Sequence, residues 1–388
     1  MRTNLALQNI VSQPRKTALA LAGIGVAIIL IFMQLGFLGA VQNTATDIFD
    51  KLDFEILVRS PHYLHLADTN KFDGRLMNEI AGHPGVESVN AVRITMGSWR
   101  NADGLPHGVL LFGVPAKQSP FNDPQVNMDL AALVAPNSVL IDRKCHPDFS
   151  PVDGQRFGPR DVGRAVVVSG QSLSVAGLFT MGSGLACNGA AIVSEATFAR
   201  LAPYFREHDV SLGLVQTEPG ANPATVANQL QASLRQADGS MSVEILPRSE
   251  VTRRELTRWI SETPIGFIFS LGVFIAAIVG TAIVYMVLAN DVTARLPEYA
   301  TLRAMGYSPA YLAGVVMRQA AYLAVFAFVP ALGLSWVLYW VTGTAAGIDL
   351  TMTLGRILGV LVMTFGICGL SGLFALKKLW QVQPADLF

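Results

Sequence analysis

Residues 17–41 read TALALAGIGVAIILIFMQLGFLGAV and carry no charged side chain. A helix needs about 20 consecutive apolar residues to cross the hydrocarbon core of a bilayer, so this stretch reads as a membrane span. Arg15 and Lys16 precede it, as the basic residues of a signal peptide would. Its apolar run is far longer than the roughly 7–15 residues of such a peptide, however, and Gly23, Gly36 and Gly39 suit close helix packing. It is read as a retained anchor. Three further stretches meet the same length test, residues 264–289, 312–342 and 354–376. Only 14% of the chain is charged, against about a quarter in an average soluble domain.

Lys and Arg in short loops favour the cytoplasmic side. Arg2, Arg15 and Lys16 precede the first span, Arg295 and Arg303 separate the second from the third, and Lys377 and Lys378 follow the fourth. The loop 343–353 has neither residue type. Both termini and the loop around Arg295 are therefore expected in the cytoplasm, with the long segment 42–263 outside. The expected division is 1–16 cytoplasmic, 17–41 first span, 42–263 external α+β domain with stalk helices at both ends, and 264–289 second span. It continues with 290–311 as a cytoplasmic coupling loop, 312–342 third span, 343–353 short external loop, 354–376 fourth span and 377–388 cytoplasmic tail. The fold class is thus membrane α-helical, with four transmembrane helices and a large α+β extracytoplasmic domain.

Within the external segment, 54–58, 86–94, 109–114, 165–168, 190–193 and 210–217 are rich in Val, Ile and Leu between Gly, Pro or Asp turns, which predicts strands. Residues 73–82, 195–201 and 223–236 read as helices, the last with Asn222 as N-cap and Pro223 at its first position. The stretch 152–179 is expected to form a strand-rich lobe of its own. Thr44–Leu52 and Ser249–Ser261 read as helices that extend the first span and lead into the second.

Net charge is zero and no basic tract tracks a phosphate backbone, which sets nucleic acid aside as a partner. There is no G-x-x-x-x-G-K-[ST] loop, so the energy of ATP has to come from another chain. Neither H-E-x-x-H nor G-x-S-x-G occurs, and the sequence marks no catalytic site. The six histidines do not follow a tight zinc spacing, and no metal site is expected. The spans lack acidic residues; their ionisable groups are Arg318 and Arg356, near helix ends, which argues against proton-relay transport. Gln34 is the notable polar residue of the first span, read as an interhelical hydrogen bond with a substrate contact as the alternative. Pro330 is a kink and candidate hinge of the third span. Glycines 355, 359, 366, 369 and 372 line one face of the fourth span, expected to pack on the first span or across a dimer interface. Cys145 and Cys187 fall outside the cytoplasm, where a disulfide persists; a bridge and two separate thiols stand equal.

The loop 290–311 carries the functional reading. Asp291 and Arg295 are four apart, and Arg295 and Glu298 three apart, so they pair on one helical face. Pro297 and Glu298 open a second helix with Leu302 and Met305 on an apolar edge. Gly306 ends it, and Ser308–Pro309 start the next. The run VYMVL at 284–288 followed by DVTARLPEYATLRAMGY at 291–307 resembles the corresponding loop of DevC-type permeases, within the FtsX-like and MacB-like superfamily of type VII ABC transporters. FMQLGF at 32–37, ILVRSP at 56–61, GVESV at 85–89, GSWRN at 97–101 and RFGP at 156–159 extend that resemblance along nearly the whole chain.

The resemblance implies a homodimeric permease in a bacterial inner membrane, bound to a separate cytoplasmic ABC ATPase that uses ATP and Mg while this chain binds no cofactor. It implies that Arg295, Leu296, Pro297, Glu298, Tyr299, Leu302, Arg303, Met305, Gly306 and Tyr307 form the ATPase-coupling element. In that reading Glu298 and Arg303 make charged contacts, Leu296, Tyr299, Leu302 and Met305 apolar ones, and Gly306 sets the turn. It further implies a periplasmic adaptor and an outer-membrane channel, with export of a lipid-like or amphiphilic substrate. Two alternatives stay open: FtsX-like mechanical activation of an external partner without transport, and lipoprotein release.

Overall fold

The structure is a computed structural model and describes residues 6, 8, 12, 14–100, 104–115, 119–149, 155–181, 189–235, 242–346 and 350–381. The chain divides into two compact units, one of residues 1–40 and 260–388, the other of residues 41–259.

The first unit is helical. Among the described residues four helices are long and apolar enough to cross a membrane: α1 (Pro14–Lys51), α7 (Pro264–Ala294), α9 (Pro309–Ala346) and α10 (Leu354–Gln381). Between α7 and α9 lies the short helix α8 (Leu296–Ala304). Ile24, Ile28, Ile31 and Phe32 of α1 repeat at helical spacing and are buried with Ala276, Val284 and Leu288 of α7, Leu323, Ala327 and Phe328 of α9, and Val360 and Ile367 of α10. Large side chains such as Phe274, Trp336, Trp340 and Val362 point outward, as a lipid-facing surface requires.

Because lipid is as apolar as leucine, these helices are held by close packing instead of by escape from water. Most of the tight positions lie on α1 and α7. A Cβ at Gly23 would stand 2.9 Å from the Ile283 side chain, one at Gly36 2.5 Å from the Tyr339 ring, one at Gly272 2.5 Å from Gln34, and one at Gly280 3.0 Å from the Ala27 side chain. Gly39 is pressed against the Arg356 guanidinium. Helix α1 therefore touches all three of its long neighbours through its glycines. In the fourth span Gly372 packs on Met317 and Ala320 of α9, not on the first span as expected, and within this chain Gly355, Gly359, Gly366 and Gly369 meet nothing within 4 Å. Hydroxyls supply local glue: Tyr339 donates to the Phe32 carbonyl, and Ser371 donates to the carbonyls of Thr281 and Ile367, each at 2.8 Å. Helix α9 runs through Pro330 unbroken.

The second unit is an α+β domain. Its strands are β1 (Ile56–Arg59), β2 (Phe72–Asp73), β3 (Val86–Arg100), β4 (Pro106–Val114), β5 (Ser138–Asp142), β6 (Ala165–Val168), β7 (Gln171–Phe179), β8 (Ala190–Ser194), β9 (Asp209–Val210), β10 (Leu212–Thr217) and β11 (Glu244–Pro247). Nine of them join in the order β11-β1-β10-β3-β4-β8-β5-β7-β6, and β2 pairs β9 separately. Strand β3 is the spine: residues from Val86 to Val92 pair with β10, and Arg93–Arg100 with β4. Trp99 and Arg100 also pair with Val168 and Val167 of β6, which closes β3, β4, β8, β5, β7 and β6 into a ring.

That closure corrects the expectation of a separate 152–179 lobe. Strands β6 and β7 pair with each other and also with β3 and β5, so they complete a ring built from strands far apart in sequence. The ring encloses its own core, with Trp99, Val109, Leu111, Ile141, Val168 and Val193 among its members. A second core spreads from Leu57 and Leu214 through Val92 and Ile94 to Phe112 and Ile192, and so crosses most of the sheet.

Helix α2 (Leu76–Ala81) is shorter than expected, because Phe72 and Asp73 are drawn into pairing with β9 and the Asp73 carboxylate accepts from the Arg75 backbone and guanidinium. Helix α3 (Pro124–Asp129) buries Val126 in the second core. Helix α4 (Glu195–Leu201) is capped by the Ser194 hydroxyl, and α5 (Pro223–Ser233) by the Asn222 carboxamide, which accepts from Ala224 N at 2.9 Å. Gly113 leaves room for Phe198: a Cβ there would lie 2.5 Å from the ring.

Overpacking a tight contact costs about 1–3 kcal/mol. Gly36→Leu should therefore lower the melting temperature of the detergent-purified protein, whereas Gly359→Leu, placed in open space, should leave it unchanged. Equal effects in a thermal-shift assay would refute this packing scheme.

Candidate functional site

Arg59 sits on β1, and its side chain is only 4% exposed. A guanidinium does not enter a protein interior without partners. Arg59 Nη1 donates to Glu255 at 3.2 Å, Nε donates to Glu244 at 3.0 Å, and the cation lies 4.3 Å from the centre of the Tyr63 ring. Glu255 lies in α6 (Arg248–Thr257), 2% exposed; burial pushes its carboxyl above the usual range, against the pull of Arg59. Burial likewise drives the Tyr63 phenol well above its ordinary value. Around this centre the charges become exposed. Arg254 bridges Glu244 and Glu250, and hydrogen bonds from Arg253 and Arg254 hold Glu250 down at about 2.

The start of α6 is fixed by Arg248. Its guanidinium donates to the Phe49 carbonyl at 2.9 Å and the Phe54 carbonyl at 3.1 Å, and it stacks on the Phe54 ring at 4.8 Å. The last turn of a helix leaves carbonyls unsatisfied and carries partial negative charge, so an arginine at the end of α1 meets both needs. One π-helical turn, Arg258–Glu262, follows α6, and Arg258 donates to the carbonyls of Tyr63 and Leu64.

The second constellation lies at the cytoplasmic end of α7. Arg295 is the N-cap residue of α8, with Pro297 in the first turn. Helix α8 ends in a Schellman motif: Gly306 adopts φ +94°, its N–H bonds the Arg303 carbonyl at 3.0 Å, and the Tyr307 N–H bonds the Leu302 carbonyl at 3.1 Å. Only glycine adopts that backbone at little cost. Ser308 then caps α9 by accepting from Tyr311 N at 3.3 Å.

One face of α8 is committed inward. Tyr299, 4% exposed, joins Val292, Leu312, Val316 and Leu376, with Leu296, Leu302 and Met317 packed around them. Met305, 63% exposed, and Glu298, Arg303, Gly306 and Tyr307 are left exposed. The Asp291–Arg295 pair closes at 3.2 Å, and the Arg295–Glu298 pair at 3.5 Å. Two further partners lie outside the loop: Gln319 Nε2 donates to Asp291 Oδ2 at 2.8 Å, and Arg295 Nη2 donates to Ser12 Oγ at 2.7 Å. Sequence reading singles out the loop residues and misses Gln319, which lies within an apolar helix with no local motif to mark it.

Gln34 lies against the backbone of α7 at Gly272, an interhelical contact. Cys145 is buried, its thiol 3.8 Å from the Ala190 carbonyl; Cys187 lies outside the described residues. Among the described residues no group of three or more His, Cys, Asp or Glu side chains is placed to hold a metal ion.

These four spans, the mixed α+β domain between the first two and the capped helix between the next two define a multi-pass membrane protein with a large extracytoplasmic domain. The family described as MacB-like periplasmic core domain matches residues 17–233, and that of the FtsX-like permease C-terminal region matches residues 270–384. The chain belongs to the FtsX/MacB-like superfamily of type VII ABC permeases. Among solved structures, the extracellular domain of the noncanonic ABC-type transporter YknZ from Gram-positive bacteria is 16% identical, with 50% of this chain and 98% of that one covered and a TM-score of 0.34. The periplasmic region of MacB from Actinobacillus actinomycetemcomitans is 10% identical, with 52% and 93% covered and a TM-score of 0.36. A comparison with curated protein sequences gives no match.

Removing one partner of a buried ion pair leaves an uncompensated charge and costs about 3–5 kcal/mol, whereas replacing both by apolar groups is often neutral. Arg59→Met should therefore destabilise the external domain strongly, and Arg59→Met with Glu255→Leu should recover most of the loss. Chemical denaturation of the purified protein, followed by tryptophan fluorescence, reads both; a double variant as weak as the single one would contradict the pairing.

Proposed function

We propose that this chain is a DevC-type permease subunit, which takes ATPase-driven motion at its cytoplasmic face and passes it to the periplasmic domain. The observation that carries the reading is the α8 element. It is a short helix fixed at both ends and anchored through Tyr299, and the element leaves Glu298, Arg303, Met305 and Tyr307 exposed. Charged and apolar side chains presented on a rigid helix suit docking into a groove of a partner. That partner is a cytoplasmic ABC ATPase, which binds ATP and Mg; the chain itself has no phosphate-binding loop and works as a non-catalytic subunit, in a homodimer in the bacterial inner membrane.

Export of a lipid-like or amphiphilic substrate, through a periplasmic adaptor and an outer-membrane channel, follows from the DevC-type resemblance. The interior of the spans supports handling of the substrate outside the bilayer: it is filled by Ile, Phe and Ala, with glycines at the contacts. The same dry interior favours a second reading, FtsX-like mechanical activation of a periplasmic partner. Lipoprotein release is the third reading that the superfamily leaves open.

Loss of a charged hydrogen bond at an interface costs about 1.5–3 kcal/mol, roughly ten- to hundredfold in affinity. In lipid nanodiscs, Glu298→Ala and Arg303→Ala should each weaken recruitment of the co-expressed ABC ATPase by about that factor and reduce its stimulated ATP turnover. Gly306→Val, which strains the left-handed turn, should do the same without removing a contact. Wild-type protein that recruits no ATPase, or variants indistinguishable from it, would defeat the proposal.

A further inference from the structure

Asp291 occupies the last turn of α7, where the helix dipole disfavours an anion. It is only partly exposed, so its carboxylate needs donors. Among the described residues two elements supply them: Arg295 Nε at the start of α8 and Gln319 Nε2 in α9. Gln319 is 5% exposed, in a stretch where Val315, Val316, Ala320 and Leu323 are all buried. A buried amide costs stability unless it is hydrogen-bonded, so its 2.8 Å bond to Asp291 is the contact that justifies the residue. The apolar cluster around Tyr299 also joins α8 to α9, but apolar burial has no direction and allows one helix to slide on the other. The hydrogen bonds of Asp291 fix direction and register.

We infer that Asp291 and Gln319 are positioning residues, which latch the α8 element to the third membrane helix so that a load on its exposed face moves α7 and α9 together. This rests on the coupling function proposed above only for the nature of the load; the latch itself is a property of the chain alone. Gln319→Leu removes the donor while filling its space. Gln319→Glu combined with Asp291→Asn rebuilds the bond with its polarity reversed, the new amide at position 291 donating to the new carboxylate at position 319.

Hydrogen–deuterium exchange of the full chain in nanodiscs tests the latch without a partner. Amides of residues 296–307 should exchange at least about tenfold faster in Gln319→Leu, a signature of local opening, and return to wild-type rates in the double variant. Unchanged exchange in Gln319→Leu overturns the latch, whatever the fate of the coupling proposal. Addition of the ABC ATPase and MgATP then separates positioning from plain docking. The expected result is retained ATPase affinity with several-fold lower stimulated turnover, restored in the double variant. Affinity and turnover falling in parallel without rescue would mean that Gln319 only supports the docking surface, and would overturn the positioning role. Faster exchange in Gln319→Leu, together with an ATPase that ignores Glu298→Ala, would uphold the latch and remove the coupling proposal instead.

Discussion

A bilayer gives no hydrogen-bond partner to a polar group, and the architecture of this chain follows from that constraint. The membrane unit keeps its interior apolar and uses glycine where α1 and α7 approach their neighbours closely. Its charged side chains lie toward the ends of the helices, Arg356 against Gly39 at one end and Asp291 and Arg295 at the other, while the amides of Gln34 and Gln319 lie further along α1 and α9. The Thr364 and Ser371 hydroxyls, which remain inside, bond to helix carbonyls. The consequence is a bundle whose interior is largely apolar.

The external domain applies the opposite chemistry to the same problem. Surrounded by water, it gains from apolar burial, and it accepts a costly buried cation, Arg59, only with Glu255, Glu244 and Tyr63 around it. The elements bound in this way matter. Arg248 holds the residues that end α1 to the start of α6, and Arg59 and Glu255 hold α6 to β1 near the edge of the nine-stranded sheet. Strand β3 then carries that edge into the closed ring. Helix α6 is thereby tied to the sheet through ionic contacts to β1 and β11.

Much of this is legible in the sequence wherever the signal is local. The spans follow from uninterrupted apolar runs, α5 from Asn222 and Pro223, and the end of α8 from Gly306 followed by Ser308 and Pro309. What escapes reading depends on residues that are distant in the chain. Glu255 lies 196 positions from Arg59, and Gln319 lies 28 from Asp291. The ring closes through β6 meeting the far end of β3, which no short-range pattern announces. The glycines show the same limit from another side: a run of them on α10 reads as a contact face, yet close approach depends on what stands opposite, and within this chain nothing does at Gly355, Gly359, Gly366 and Gly369.

Helix α8 also shows why burial and function need not compete for the same residues. Leu296, Tyr299 and Leu302 read as apolar contacts of the loop, and the structure brings them into the chain's own core. The side chains left outside, Glu298, Arg303, Met305 and Tyr307, are few and chemically mixed, so a partner that reads them gains specificity from charge placement more than from buried area. In the proposed coupling the contact also has to transmit a load. The work of a lever depends on the stiffness of its anchorage, and the anchorage here is the Tyr299 cluster with the Asp291 latch behind it, both supplied by this chain before any partner arrives.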